Sequence, residues 1–248
     1  MSAGNLTVRI GLILLAAAGS AVASGMPIRM RVIEGRAPVC TATNQARETV
    51  MWLPAGAEVE LFDGQGAVAA GRVARVGRSE VAVTIEHLLP VQARPAPAVH
   101  LAFAVPKGKR LDWLLEKATE LAAASLQPVV FERSVAGGDE LRKGKLDRWR
   151  THCVAAAKQC GLNFLPEIFP PEGLANVLRD RSDLPGLFGD CAPDSPDAYE
   201  TLQSFRAGGH RQAVVLVGPE GGLTDAERDA CLTAGLKPIR LGTTTLRI

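Results

Sequence analysis

Apolar positions follow two regimes along this chain. Between residues 29 and 90 they come in short runs separated by turn residues. Residues 29–33 read as a first strand. Residues 57–62 alternate apolar and polar and stop at Asp63-Gly64, and 68–76 and 80–85 continue, with breaks at Gly71, Gly77 and Arg78-Ser79. Period-2 alternation ending on a hairpin-type dipeptide is the pattern of a half-buried strand, and several in succession predict a small β-barrel. From residue 99 the pattern changes. Apolar runs at 99–105, 127–131, 166–169, 186–189, 214–217 and 237–242 alternate with stretches of helical spacing. Leu111, Leu114, Leu115, Ala118 and Leu121 share one helical face; Trp149, Cys153 and Ala157 share another, on a helix over 143–160. Shorter helices are expected over 174–179 and 195–205. Strands alternating with helices predict an α/β fold, a parallel sheet with helices on both faces. Pro95 and Pro97 among small residues mark 91–98 as a linker. The expected division is a β-barrel domain over 26–90, the linker, and an α/β domain over 99–248.

Residues 214–228 are the centre of the second regime. The run 214–217 is apolar and β-branched, as in a strand buried on both faces. Gly218-Pro219-Glu220-Gly221-Gly222 follows at once. Glycines at this density let the backbone reach positive φ and bring its N–H groups close to a ligand. Thr224 stands three residues before Glu227, the spacing of a capping box that opens a helix. Strand, glycine loop and capped helix make a small-molecule site at the carboxyl end of a parallel strand; the plainer alternative is a tight turn. No Gly-Lys-Ser/Thr closes the loop and its spacing is not G-x-G-x-x-G, so neither common nucleotide fingerprint applies.

Composition narrows the partners. The chain has 248 residues, is 22% charged and carries a formal net charge of only +2, so any nucleic-acid contact must come from local patches. One such patch, Lys107, Lys109 and Arg110, follows the run 99–105 in what reads as a loop, and Glu132-Arg133-Ser134 ends the run 127–131. Both lie at carboxyl ends of strands, where sites are built; for the single lysines a solvated loop is the plainer reading. Five cysteines lie scattered with no C-x-x-C pair. That suits a reduced compartment, with each thiol a small buried hydrophobe and no metal site. His210 has no partner at a recognisable spacing and reads as exposed. The N-terminus conflicts with a reduced compartment. Arg9 precedes an apolar stretch, and Ala21-Val22-Ala23 has the form of a signal-peptidase site; the rival reading is a true start at Met26 or Met30. The expectation is that residues 1–25 lie outside the folded protein.

The glycine loop, with Leu241-Gly242 and Leu246-Arg247 downstream, resembles the RsmE-type 16S rRNA (uracil-N3)-methyltransferase family of the SPOUT class. Residues 54–66, the Lys-Gly-Lys-Arg of 107–110 and the Phe-Glu-Arg-Ser of 131–134 carry the resemblance upstream. It implies a SPOUT-type parallel sheet with trefoil-knot topology and a PUA-like RNA-binding barrel before it. It further implies S-adenosylmethionine held by Val217, Gly218, Pro219, Glu220, Gly221, Gly222, Leu241, Gly242 and Leu246. Glu220 and Arg133 are the implied catalytic residues, Glu220 as base or as a pin for the loop through its backbone N–H groups. Arg133 would stabilise the uracil oxyanion and, with Lys107, Lys109 and Arg110, contact RNA. The implied partners are 16S rRNA in the small ribosomal subunit and a second copy in a homodimer, in the cytoplasm. Trp52, Lys158 and Leu162 depart from the family pattern, and the chain ends before the family's last knot helix. The alternatives are therefore a catalytically impaired RNA-binding relic of the family and, from the N-terminus alone, an exported protein of other function.

Overall fold

In the strand Glu58–Phe62, Val59 and Leu61 are buried while Glu58 and Glu60 are only partly so. This alternation sets one face of an antiparallel sheet on a core. The computed structural model describes residues 5–9, 29–32, 55–76, 80–134, 143–192 and 194–242. Contacts divide the chain into two units, Met1–Arg94 with Ala157–Phe164, and Pro95–Ala156 with Leu165–Ile248. The first unit holds β1 (Asn5–Arg9), β2 (Arg29–Val32), β3 (Glu58–Phe62), β4 (Val68–Val76) and β5 (Glu80–Leu88), in the order β1-β5-β4-β3-β2. Val59, Leu61, Val73, Val81 and Val83 form its core. Asn5–Arg9 pairs antiparallel with β5, Asn5 opposite Thr84 and Arg9 opposite Glu80. Its Leu-Thr-Val centre has strand propensity, and the open edge of β5 supplies the partners for its backbone. The remaining N-terminal readings, Cys40, Trp52 and Leu246 lie outside the described residues.

The first unit also takes a segment that the sequence assigned to the second. Gly66 N–H donates to the carbonyl of Asn163 at 3.2 Å, Asn163 Nδ2 donates to Gln92 Oε1 at 3.0 Å, and Phe164 is 5% exposed. Lys158 and Leu162 fall in this segment. The Leu162 N–H closes the preceding helix on the carbonyl of Ala157.

The second unit is a parallel α/β sheet. Its elements are β6 (Ala98–Ala104), α1 (Lys109–Glu120), β7 (Ser125–Val130), α2 (Lys143–Cys160, whose last turn joins the first unit), β8 (Glu167–Ile168), β9 (Glu172–Gly173), α3 (Leu174–Asp180), β10 (Gly186–Gly189), α4 (Ala198–Ala207), β11 (Gln212–Val217), α5 (Asp225–Thr233) and β12 (Lys237–Ile239). The sheet order is β12-β10-β11-β6-β7-β8, with β9 also on β7, and every pairing is parallel. Alternate residues of β6 face opposite cores. Ala102 and Ala104 pack with Leu174, Val177 and Cys231, and Phe103 packs with Leu115, Trp149 and Cys153. Helices therefore cover both faces, as predicted. Several expectations shift. Leu121 is 82% exposed and ends α1 rather than extending its buried face. Lys109 and Arg110 are the first helical residues of α1, not loop residues. The helix expected over 195–205 starts at Ala198, because Asp197 is its N-cap and accepts from the Tyr199 N–H. Cys160 and Cys191 are exposed, whereas Cys153 and Cys231 are buried, and burial raises both buried thiols to about 11. His210 is exposed, as expected, with Phe205 beside its ring.

Candidate functional site

β11 lies between β10 and β6. Val214 and Leu216 are buried, while Val215 and Val217 are half-buried, so the expectation of burial on both faces holds for one. The glycine loop leaves its carboxyl end. Pro219 is buried, and its carbonyl accepts from the Gly222 N–H at 2.9 Å. Gly222 then takes φ +72, a region that side chains other than glycine enter at a cost of about 1–3 kcal/mol. Thr224 caps α5 as predicted. Its hydroxyl accepts from the Glu227 N–H at 3.2 Å, and Glu227 Oε2 accepts from the Thr224 N–H at 2.9 Å.

Three side-chain constellations surround the loop and the start of α5. The first comes from the turn after β7. Arg133 Nη1 donates to the carbonyl of Gly221 at 3.0 Å and to that of Leu223 at 3.4 Å. The Glu132 N–H donates to Glu227 Oε1 at 2.8 Å. The second comes from the loop after β6. Arg110 forms an ion pair with Glu220, so the Glu220 carboxylate meets a guanidinium rather than the loop N–H groups. Arg110 and Lys109 open α1, where the helix dipole disfavours cations; Glu220 offsets one of these charges. The third comes from the end of β10. Asp190 Oδ2 accepts from Arg228 Nε at 3.0 Å and from the Ser195 hydroxyl at 2.8 Å. Burial works to raise the Asp190 carboxyl, but these two donors, the Ala192 N–H and the charge of Arg228 together outweigh it and hold the group below its ordinary value.

An open cleft lies between the ends of β6 and β11, lined by Ala104, Val105, Pro106 and Lys107 on one side and Gly218, Pro219 and Glu220 on the other. The structure thus brings together Lys107, Gly218, Pro219 and Glu220, with Arg110 on Glu220 and Arg133 on Gly221. Leu241 and Gly242 follow β12, and Leu241 is 65% exposed. Sequence reasoning missed the 104–106 wall, because the adjacency of β6 and β11 is a property of strand order. It also missed the Asp190, Ser195 and Arg228 cluster and the bond from the Glu132 N–H to Glu227. Glu227 was visible only as a cap. Among the described residues, no group of three or more His, Cys, Asp or Glu side chains could hold a metal ion, and no helix is long and apolar enough to cross a membrane.

Residues 93–248 match the RNA methyltransferase domain family. The chain is 28% identical over 221 residues to the ribosomal RNA small subunit methyltransferase E of Synechocystis sp., spanning 88% of this chain and 70% of that protein. It is 30% identical over 204 residues to the Mycobacterium tuberculosis protein of the same name, spanning 80% and 76%. Among solved structures, the ribosomal RNA small subunit methyltransferase E from Neisseria gonorrhoeae bound to S-adenosyl methionine superposes with a TM-score of 0.68 at 25% identity, over 79% of this chain and 80% of that one. A Legionella pneumophila methyltransferase in complex with the same molecule gives a TM-score of 0.70 at 27% identity, over 82% of each chain.

Proposed function

Because the chain belongs to the RNA methyltransferase family, in the branch named ribosomal RNA small subunit methyltransferase E, we propose that it methylates N3 of a uracil in 16S ribosomal RNA with S-adenosylmethionine as donor. One observation carries the reading: a glycine loop at the carboxyl end of β11 walls an open cleft that holds one carboxylate, Glu220, beside the cations Lys107 and Arg110. The loop fits the donor. Nothing stands within 4 Å of where a Cβ would project from Gly222 or Gly242, so a ligand can approach the main chain there. In this reading residues 217–222, with Leu241, Gly242 and Leu246, hold the donor.

When bound, the donor supplies an electrophilic methyl group on a sulfonium. The rest falls to the chain. Uracil N3 is a nucleophile only after its proton leaves, so a base or a stabilising cation must stand at the ring. Glu220 is the base, using the carboxylate oxygen that Arg110 does not hold. Arg133, anchored to the loop carbonyls of Gly221 and Leu223, brings positive charge behind the loop, where it offsets the charge that builds on the uracil. Lys107, Lys109 and Arg110 serve RNA phosphates, which position without reading sequence. The antiparallel sheet of the first unit is, on this reading, the PUA-like barrel that grips RNA. The same resemblance implies the trefoil knot, the homodimer and a cytoplasmic site of action.

The test is incubation of the protein with S-adenosylmethionine and unmodified small ribosomal subunits, followed by nucleoside mass spectrometry. 3-Methyluridine is the expected product; a methyl on ribose or on carbon would overturn the N3 assignment. Glu220→Gln should lower kcat at saturating donor by about 10²–10⁴. An unchanged kcat would remove Glu220 as base. RNA and donor binding without product would favour the catalytically impaired relic.

A further inference from the structure

The loop is held from outside the cleft by two side chains, and the hydrogen bonds show what they hold. A peptide group is planar, so its C=O and N–H point in opposite directions and gripping both fixes the plane. The Gly221–Gly222 peptide is gripped at both ends: its carbonyl accepts from Arg133 at 3.0 Å and its N–H donates to the Pro219 carbonyl at 2.9 Å. So is the Leu223–Thr224 peptide. Its carbonyl accepts from the same Arg133 nitrogen at 3.4 Å, and its N–H donates to Glu227 Oε2 at 2.9 Å. The other oxygen of Glu227 accepts from the Glu132 N–H at 2.8 Å. One carboxylate thus joins the start of α5 to the turn after β7, and the next residue of that turn holds the loop. β7 and β11 are not neighbours, since β6 runs between them. The contact is also close, because a Cβ on Gly221 would stand 3.3 Å from the Arg133 Cβ. Between the two anchored planes lies the Gly222–Leu223 peptide, whose C=O and N–H make no hydrogen bond among the described residues.

We infer that Glu227 is a positioning residue that acts through Arg133. Together they strap the loop to the turn after β7 and set the Gly222–Leu223 peptide toward the methyl donor. This rests on the donor assignment proposed above. Glu227 itself is a helix-cap residue and does not line the cleft. A mere cap would affect helix stability; a strap affects ligand affinity as well.

Glu227→Gln separates the two roles, because an amide has one acceptor atom and cannot serve Glu132 and Thr224 together. Thr224→Ala is the control. It removes the cap hydroxyl but leaves Glu227 its bonds to both backbone N–H groups. Three readings are taken on the full chain: amide hydrogen exchange over 218–224, S-adenosylmethionine Kd by calorimetry, and Tm. Glu227→Gln is expected to speed exchange in the loop and raise Kd about tenfold. Thr224→Ala should lower Tm comparably with Kd unchanged within twofold. Arg133→Met should raise Kd too, and its effect should be non-additive with Glu227→Gln, as two parts of one network require. Equal Kd shifts for Glu227→Gln and Thr224→Ala, or additive effects of the Glu227 and Arg133 variants, would overturn the strap. If the wild-type chain binds no donor, the functional reading falls instead. The strap is then judged on exchange alone, and equal loop protection in Glu227→Gln and Thr224→Ala overturns it.

Discussion

Asp190 and Glu227 hold the first turn of α5, just after the glycine loop, by the same device, a carboxylate shared between elements. Asp190 sits just past β10 and Arg228 is on α5, immediately after Glu227. One face of the first turn of α5 therefore reaches toward β7 and the other toward β10. The side chain of Asp190 is only 11% exposed, and its carboxyl lies below its ordinary value despite burial, because Ser195 and Arg228 favour the charged form. Linkage fixes the sign. A carboxyl whose folded pKa is depressed adds stability above its unfolded pKa, about 3.9 for Asp, and loses it as pH falls through the folded value. Asp190→Asn should therefore be less stable than wild type at pH 7 by a gap that stays constant down to about pH 5. The gap should narrow below about pH 4 as the wild-type carboxyl protonates. Urea unfolding at several pH values reads it, and a gap independent of pH down to pH 2 would remove the ion pair as its source. Arg110 with Glu220 differs, since the two side chains are 43% and 52% exposed. An exposed pair contributes about 0–1 kcal/mol, so this pair matters for the cleft and little for folding.

Among the elements, Gly66 marks where local pattern gives way to long-range contact. It follows the Asp63-Gly64 turn and takes φ +105. A Cβ there would stand 2.6 Å from the Gln92 carbonyl and 2.7 Å from the Phe164 ring. Gly66→Ala should cost the first unit at least the about 1–3 kcal/mol of a side chain forced to positive φ, read as a lower Tm. Gly56→Ala is the comparison, since at φ +88 it has the same backbone problem and nothing within 4 Å. Equal losses would mean that the contact with Phe164 adds nothing. Periodicity made most elements legible. The strand over 68–76, the helix over 143–160 and the strand over 186–189 lie where alternation and helical spacing put them. The capping box at Thr224 was legible because its chemistry is local. Where other local chemistry competed, bounds moved: Asp197 took the N-cap of α4, and Leu121 fell past the end of α1 into solvent. The site was half legible. The glycine loop announced itself, but the wall at 104–106 and the bonds from Glu132 and Arg133 to the loop and cap depend on which strands lie side by side. No spacing along the chain encodes that.

At the scale of the whole molecule, the chain passes from the first unit to the second at Arg94 and Pro95, inside the expected linker, and then returns. Ala157–Phe164 belongs to the first unit although the chain on either side belongs to the second. The return is substantial: Phe164 and Asn163 are 5% and 8% exposed, and the guanidinium of Arg94 lies 5.0 Å from the centre of the Phe164 ring. Burying one phenylalanine contributes about 1.5–3 kcal/mol, and withdrawing it would also leave the Gln92 and Gly66 partners of Asn163 unpaired. A single cut in the linker therefore should not release the two units. With a specific protease site inserted after Arg94, complete cleavage should give fragments that co-elute on size exclusion under native conditions and separate in denaturant. Phe164→Ala in the same protein should weaken the association, because truncating a buried aromatic costs about 3–5 kcal/mol. Fragments that separate at once in native buffer would mean that 157–164 does not hold the first unit to the chain that follows. A linker cut that leaves the pair together but abolishes donor binding would instead tie the glycine loop to an intact chain through residue 94.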